Sequence, residues 1–260
     1  MLRSFDHLRG YPIHASDGDI GSLRDLYFDD QSTLIRYFVV DTGTWLPGKR
    51  VLLAPAAVGA VDTERGEIVT GLTRQQVEES PPVDTERPVS RQQELALHTH
   101  YGWDPYWMAP PLAGGFAPYW GPAIPPSYPS PGEARVAEEV AAREREHGDP
   151  HLHSAREVEG YYVAASDGDI GHVEDFLIDD RDWAIHLLGI DTSNWLPGRK
   201  VVISPSWLRG IDWGERKIEV DLTRQQIKDS PEYDPMLVPD ESYLERLATY
   251  YGRPGHRAGP

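Results

Sequence analysis

Aspartates recur in the sequence with a spacing that could suit calcium ligands. The segment Asp17–Asp19 returns as Asp167–Asp169, each time around a glycine. A helix–loop–helix calcium loop needs further ligands ending in a glutamate, and none follows in register. Aspartate and glycine also favour tight turns, where the carboxylate accepts hydrogen bonds from backbone N–H groups. The pattern therefore favours structural turns, made by Asp17, Gly18 and Gly21 and again by Asp167, Gly168 and Gly171.

A second repeated feature is a pair of adjacent carboxylates, Asp29-Asp30 and Asp179-Asp180. Paired carboxylates are used in acid–base catalysis. Here no histidine or lysine accompanies the pair in both copies. We interpret these aspartates as turn and solubility residues at strand ends.

Histidines separated by one residue, His98/His100 and His151/His153, would share one face of a β-strand. The first pair lies on a predicted helix, where metal ligands would instead be four residues apart, and no third ligand is fixed nearby. The sequence also lacks a nucleophile elbow and a glycine-rich phosphate loop. We therefore expect a non-enzymatic protein with no catalytic residues, no cofactor-binding residues and no metal ligands.

Composition narrows the class of protein. The 260 residues include 42 acidic and 25 basic side chains, a net charge of -17, and no cysteine. Such an acidic chain is a poor ligand for nucleic acid or an anionic membrane surface. No stretch has the length and apolarity of a signal peptide or a membrane span. We expect a soluble, cytoplasmic protein that binds no nucleic acid and does not insert into a membrane.

The chain repeats itself at an offset of 150 residues. Gly10–Gly102 and Gly160–Gly252 align without a gap, and 35 of the 93 positions are identical. Each copy predicts about six short strands separated by turns, which favours a small antiparallel β-barrel because closure hides strand edges. Capping boxes at Thr73–Gln76 and Thr223–Gln226 predict short helices that end at Ser-Pro. Second helices are predicted to end at Tyr101-Gly102 and Tyr251-Gly252.

The copies are joined by a segment of different composition. Residues 103–132 contain 9 prolines and 4 glycines together with many aromatic residues. This favours a stiff spacer, with the alternative that its rings pack on a barrel or dock a partner. Residues 133–150 predict a charged helix. The predicted division is barrel 1 at 1–82, a helical extension at 83–102, the linker at 103–132, the helix at 133–150, barrel 2 at 151–232, and a helical extension with a tail at 233–260.

Two loops are candidate interaction sites, formed by Trp45, Leu46 and Pro47 and by Trp195, Leu196 and Pro197. An exposed tryptophan beside leucine and proline is the kind of anchor that dominates interfaces. Alternatively, the tryptophan caps one end of the barrel and Pro-Gly makes the turn. The two loops could also meet where the barrels contact, because a duplication often mimics a two-fold dimer.

The ordered motifs resemble those of the PRC-barrel family. The resemblance rests on the Gly-Tyr opening, S-D-G-D-I-G, the D-T-x-x-W-L-P-G segment and L-T-R-Q-Q, each present twice. That family includes the cytoplasmic domain of the photosynthetic reaction-centre H subunit and a domain of a ribosome maturation factor. The resemblance implies a mainly β fold of two such barrels, each followed by short helices, and a docking role.

From this resemblance we expect a protein–protein interaction or scaffold module that docks on or stabilises a larger assembly. Its protein partner is unknown, and the chain could form a homo-oligomer or pair its own barrels as a pseudo-dimer. Two alternatives remain open. One is an accessory role in photosynthetic electron transport by analogy with the H subunit, and the other is ligand or metal binding.

Overall fold

The structure, a computed structural model, describes residues 1–81, 83, 89, 91–108, 149–192, 199–237 and 239–252. The predicted charged helix, most of the predicted linker and the tail after Gly252 lie outside the described residues. Within those residues no helix is both long and apolar enough to cross a membrane.

In its described residues the first repeat has seven strands and three α-helices, with one-turn 3-10 helices at Pro55–Ala57 and Tyr106–Met108. These elements are β1 (Leu2–Ser4), α1 (Phe5–Leu8), β2 (Pro12–Ala15), β3 (Gly18–Asp29), β4 (Ile35–Asp41), β5 (Arg50–Leu53), β6 (Val58–Asp62), β7 (Glu67–Thr70), α2 (Arg74–Glu78) and α3 (Arg91–Tyr101).

The second repeat has the same series, with a 3-10 helix at Pro205–Trp207. Its elements are β8 (Leu152–Ser154), α4 (Ala155–Val158), β9 (Tyr162–Ala165), β10 (Gly168–Asp179), β11 (Ala184–Asp191), β12 (Lys200–Ile203), β13 (Leu208–Asp212), β14 (Lys217–Val220), α5 (Arg224–Lys228) and α6 (Glu241–Tyr251). The prediction of a mainly β chain is confirmed, as are both capping boxes.

The strands form two seven-stranded sheets, with the orders β5-β4-β3-β2-β7-β6 and β12-β11-β10-β9-β14-β13. The prediction of closed antiparallel barrels is wrong in two respects. In the described residues the outer strands of each sheet do not pair with each other, and β2 and β9 run parallel to β7 and β14. A proline-led 3-10 helix carries the chain between the outer strands, and proline cannot donate a ladder hydrogen bond.

The seventh strand of each sheet comes from the other repeat. β1 pairs with the end of β10, and β8 pairs with the end of β3. The β3–β4 turn and the β10–β11 turn also contact each other reciprocally. Ile35 N–H donates to Trp183 O at 2.7 Å, and Ile185 N–H donates to Thr33 O at 2.8 Å. The predicted segments 1–82 and 151–232 therefore do not coincide with the sheets, because each sheet takes one strand from the other segment.

The hydrophobic core is continuous across the two repeats. One cluster of buried side chains extends from Leu2 to Leu247 and includes residues of both sheets. Phe28 and Phe176, one from each repeat, have ring centres 5.9 Å apart. The described parts of the two repeats thus form one packed body.

Gly21 and Gly171 are required by close packing at the start of the long strands. They have φ values of +137° and +153°. A Cβ on Gly21 would lie 2.1 Å from Asp41 O, and one on Gly171 would lie 1.9 Å from Asp191 O. No side chain fits there, which explains why both copies keep glycine at this position.

Candidate functional site

The turn aspartates bind the helix that follows the sheet. Asp17 Oδ1 accepts a hydrogen bond from Arg74 N at 2.7 Å, and Asp167 Oδ1 accepts one from Arg224 N at 2.7 Å. A carboxylate at a helix N-terminus satisfies a backbone N–H that has no partner within the helix. These residues therefore join the β2–β3 and β9–β10 turns to α2 and α5.

The adjacent aspartates at the ends of β3 and β10 stabilise turns and contact the other repeat. Asp29 Oδ1 accepts hydrogen bonds from Ser32 N and Ser32 Oγ, both at 2.7 Å. Although burial opposes it, these bonds lower the pKa of Asp29. Asp30 and Asp180 instead bind the strand that arrives from the other repeat. Arg3 Nε donates to Asp180 Oδ2 at 2.8 Å.

The structure brings Asp30, His151 and His153 together. His151 Nδ1 lies 2.9 Å from Asp30 Oδ1, and His153 Nε2 lies 3.5 Å from Asp30 Oδ2. The His153 ring also stacks on Trp213, with ring centres 3.5 Å apart. Burial lowers the pKa of His153. Among the residues that the structure describes, no group of three suitable side chains could hold a metal ion.

The Trp45 loop is tied to its own repeat. The ring of Trp45 is half-buried against the core, and the Arg74 guanidinium lies 4.6 Å from the ring centre. Lys49 Nζ donates to Ser80 O at 3.1 Å, just beyond the end of α2. Pro47 is the exposed tip. Trp195, Leu196 and Pro197 lie outside the described residues.

The loop also lies away from the contact between repeats. β4 begins at the contact, where Ile35 bonds Trp183, and ends at Asp41, where the loop starts. The Trp45 loop is therefore at the far end of this strand, and its role in docking stays a prediction.

A buried polar cluster, which we call the Glu94 cluster, lies under α3. Glu94 Oε1 accepts hydrogen bonds from Tyr37 Oη at 2.9 Å and Tyr106 Oη at 2.7 Å, and Arg91 Nη1 lies 2.9 Å from Glu94 Oε2. His98 Nε2 lies 3.0 Å from Tyr37 Oη. Glu94 and Tyr37 are fully buried. Because all these polar groups face one another, the cluster holds α3 and the chain after it against the sheet.

Burial sets the protonation behaviour of the Glu94 cluster. It raises the pKa of Glu94, although Tyr106, Arg91 and Tyr37 oppose this effect. It raises the pKa of Tyr37 strongly, with a further contribution from the negative charge of Glu94. It lowers the pKa of His98 and so favours the neutral imidazole. Glu94 is fully buried, whereas His98 is 4% exposed and lines the Trp103 groove described below.

The same cluster holds both ends of the connecting segment. Arg91 donates to Tyr106 Oη at 3.1 Å and contacts Asp149 Oδ2 at 2.6 Å. Asp149 N also donates to Val89 O at 2.9 Å. The described ends of the connection therefore lie close together, whereas most of residues 103–132 lie outside the described residues and the spacer stays a prediction.

Two equivalent grooves lie where the repeats meet. The first, the Trp103 groove, has a volume of about 510 Å³ and is walled by the start of β4, the segment before β6 and the β10–β11 turn. Gly102–Asp104 and Tyr106, which follow α3, form a further wall. Arg36 lies over the Tyr106 ring at 3.9 Å, and Trp103 stacks on Tyr101 at 4.3 Å.

The second, the β13 groove, occupies the same position in the other repeat and has a volume of about 940 Å³. In the part of the chain that the structure describes, no residue following α6 contributes to its wall. The wall contains residues of both repeats, so the groove exists only when they pack together. The residues that line it are Asp30, Gln31, Ser32, Thr33, Ala184, Ile185, His186, Ser204, Pro205, Ser206, Leu208, Arg209, Gly210, Ile211 and Trp213.

Sequence reasoning missed the Glu94 cluster and the grooves. A position-by-position comparison of the repeats contains a signal for the cluster, because Tyr37, Glu94 and His98 align with aliphatic residues in the second repeat. These partners are Leu187, Leu244 and Ala248. No comparable signal marks the grooves, since their walls combine residues from both repeats.

Comparisons with known proteins each match part of the chain. Residues 3–75 match the family model of the PRC-barrel domain. An uncharacterised protein of Deinococcus radiodurans is 38% identical over 71 residues. That alignment covers 27% of this chain and 25% of the relative, so the chain matches about a quarter of the relative's length.

Proposed function

Residues 3–75 belong to the PRC-barrel domain family, and from this membership we propose that the chain is a protein-interaction module. In this proposal the paired repeats form a single docking body, and the β13 groove receives a segment of a partner protein.

The comparison between the two grooves carries this proposal. In the Trp103 groove, Gly102–Asp104 and Tyr106 of the chain itself form one wall. The β13 groove is the larger of the two, and a volume of about 940 Å³ lies within the usual range for binding pockets. In the first repeat a segment of the chain packs at this position, so the equivalent position of the second repeat is suited to receive a segment of a partner.

Affinity purification from the native cell with two matched variants tests the proposal. Gly210 lines the β13 groove, and a Cβ added there would meet no atom within 4 Å, so Gly210→Trp introduces a large ring into the groove. Ala60→Trp puts the same ring at the equivalent, exposed position of β6. We expect Gly210→Trp to lose proteins that both the wild type and Ala60→Trp recover. Equal recovery by all three chains would exclude the β13 groove as the docking surface.

The two alternative roles are separate proposals. An accessory function in photosynthetic electron transport predicts that the protein co-fractionates with a photosynthetic complex. A ligand- or metal-binding function predicts a bound molecule in the purified protein, measurable by mass and elemental analysis. No feature of the described residues favours either role over docking.

A further inference from the structure

The β13 groove contains a strand edge as well as side chains. β13 is the last strand in its sheet and pairs with β14 along one side only. Among the described residues, no backbone group bonds to the other side of β13. Leu208–Ile211 of this strand line the groove. An unpaired edge of this kind is a template for an added strand.

The groove walls suit an extended peptide. Leu208 and Ile211 are half-buried and offer apolar surface along the edge, and Trp213 adds an aromatic ring. The lining also includes hydroxyl groups, among them those of Ser32 and Ser206. Alternate side chains of an added strand point in opposite directions, so one set would meet the apolar residues and the other would meet solvent.

Arg209 gives the edge a charge preference. Its side chain is exposed, and it makes no ion pair with the residues that the structure describes. Asp30, the carboxylate in the facing wall, is already engaged by His151 and His153. Since Arg209 has no counter-ion among the described residues of a chain of net charge -17, it is complementary to an acidic side chain of a ligand. The equivalent position in β6 is Gly59, so this charge is specific to the second repeat.

We propose that the β13 groove binds an extended acidic segment of a partner protein, which adds to β13 as a further strand and pairs a carboxylate with Arg209. This inference rests on the proposed docking function and names the partner chemistry and the mode of binding.

The test uses a phage-displayed library of random 12-residue peptides, selected on the full chain. We expect enriched peptides to contain Asp or Glu and to bind roughly tenfold more weakly to Arg209→Glu, because an attractive charge becomes repulsive. Gly59→Glu adds the same charge to β6 and should leave binding unchanged. Arg209 is exposed, so its substitution should leave the fold intact.

The backbone mode is tested on a synthetic version of the strongest peptide. N-methylation of alternate residues removes the N–H groups that pair with a strand edge, and we expect one of the two alternating patterns to abolish binding. Binding should also slow amide hydrogen exchange in β13 but not in β6. Failure to enrich any peptide, or binding that neither Arg209→Glu nor N-methylation weakens, would overturn the proposal.

Failure of this inference can be distinguished from failure of the docking function. If Gly210→Trp loses a native partner that Arg209→Glu retains, the groove docks proteins but not through an acidic strand. If neither variant changes recovery, the docking function itself is wrong.

Discussion

At the scale of single residues, two buried aspartates hold the repeats together. Asp175 accepts hydrogen bonds from Ser4 Oγ at 2.6 Å and Asp6 N at 3.0 Å, both in the other repeat. Asp25 accepts the equivalent bonds from Ser154 Oγ at 2.6 Å and Arg156 N at 3.1 Å. Each aspartate therefore fixes the strand and short helix that arrive from its neighbour.

Substitution of Asp175 should separate the roles of shape and charge. Asp175→Ala leaves buried donors without an acceptor and should lower the free energy of unfolding by about 2–3 kcal/mol. Asp175→Asn keeps Oδ1 as an acceptor and can donate to Ser4 Oγ, so it should cost much less. Chemical denaturation measures both values, and equal losses for the two variants would contradict this role.

The pH dependence of stability gives a second test at this residue. Burial raises the pKa of Asp175 although Ser4 and backbone N–H groups oppose it. The contribution of Asp175 to the free energy of unfolding is therefore complete below about pH 3.9, the pKa of aspartate in the unfolded chain. It is lost as the pH rises through the higher pKa that Asp175 has in the folded protein. Denaturation at several pH values should show a smaller decline with rising pH in Asp175→Asn than in the wild type. An unchanged pH slope would argue against this assignment.

Glu94 gives a residue-scale prediction for the first repeat. Glu94→Leu copies the residue of the second repeat but removes the acceptor for Tyr37 and Tyr106 and the counter-ion of Arg91. Breaking a buried pair in this way should cost about 3–5 kcal/mol. Glu94→Gln retains one acceptor oxygen and should cost less. A thermal or chemical unfolding curve for Glu94→Leu that matches the wild type would show that the cluster does not anchor α3.

At the scale of elements, the glycines that open the long strands give a sharp prediction. Gly21→Ala places a Cβ against Asp41 O and should destabilise the fold by more than about 2 kcal/mol, because backbone must move. Gly43→Ala is the matched control, since Gly43 also has positive φ but no atom within 4 Å. We expect Gly43→Ala to lower the free energy of unfolding by only about 1 kcal/mol, which is the cost of placing a side chain in the left-handed region. Equal costs in calorimetry would contradict the packing explanation.

The sequence predicted local elements well and their partners poorly. The β2–β3 hairpin, the capping boxes and the helices that end at Gly102 and Gly252 follow from local turn and cap chemistry. The exchanged strand Leu2–Ser4 has only three residues, too few to show a periodicity, and its partner lies in another repeat. The identities Leu2/Leu152 and Ser4/Ser154 were available as a signal that the repeat begins before Gly10.

The open sheet edges also escaped prediction. Short strands with turn signals favour a barrel, but closure depends on whether the outer strands can reach each other. Here Pro55–Ala57 and Pro205–Trp207 turn the chain between those strands. The candidate site follows from this difference, since a closed barrel would have no free β13 edge. Only the pairing of the repeats, which no local pattern records, completes the groove.

At the scale of the whole molecule, the continuous core predicts cooperative unfolding. Hydrogen exchange should give the slowest amides of β4 and β11 the same free energy of opening, because neither sheet keeps its seventh strand without the other repeat. Asp175→Ala should lower both values equally. Two clearly different opening energies would show that the repeats are independent domains.

The exchange of strands also predicts the behaviour of a single repeat. A chain of residues 1–108 keeps β1 but lacks β10, its partner, whereas its own β3 lacks β8. A second copy can satisfy both needs through the same reciprocal contact, with two-fold symmetry. We expect a dimer in analytical ultracentrifugation, and a stably folded monomer would contradict the prediction.

Site-specific photo-crosslinking in the native cell shows whether the paired repeats dock a partner protein in the β13 groove. A photoreactive phenylalanine replaces Gly210 in one chain and Ala60, its exposed equivalent in β6, in another. We expect a crosslinked partner protein at position 210, identified by mass spectrometry. The same adduct should be absent at position 60 or form there in much lower yield. No adduct at position 210, or identical adducts at both positions, would contradict this expectation.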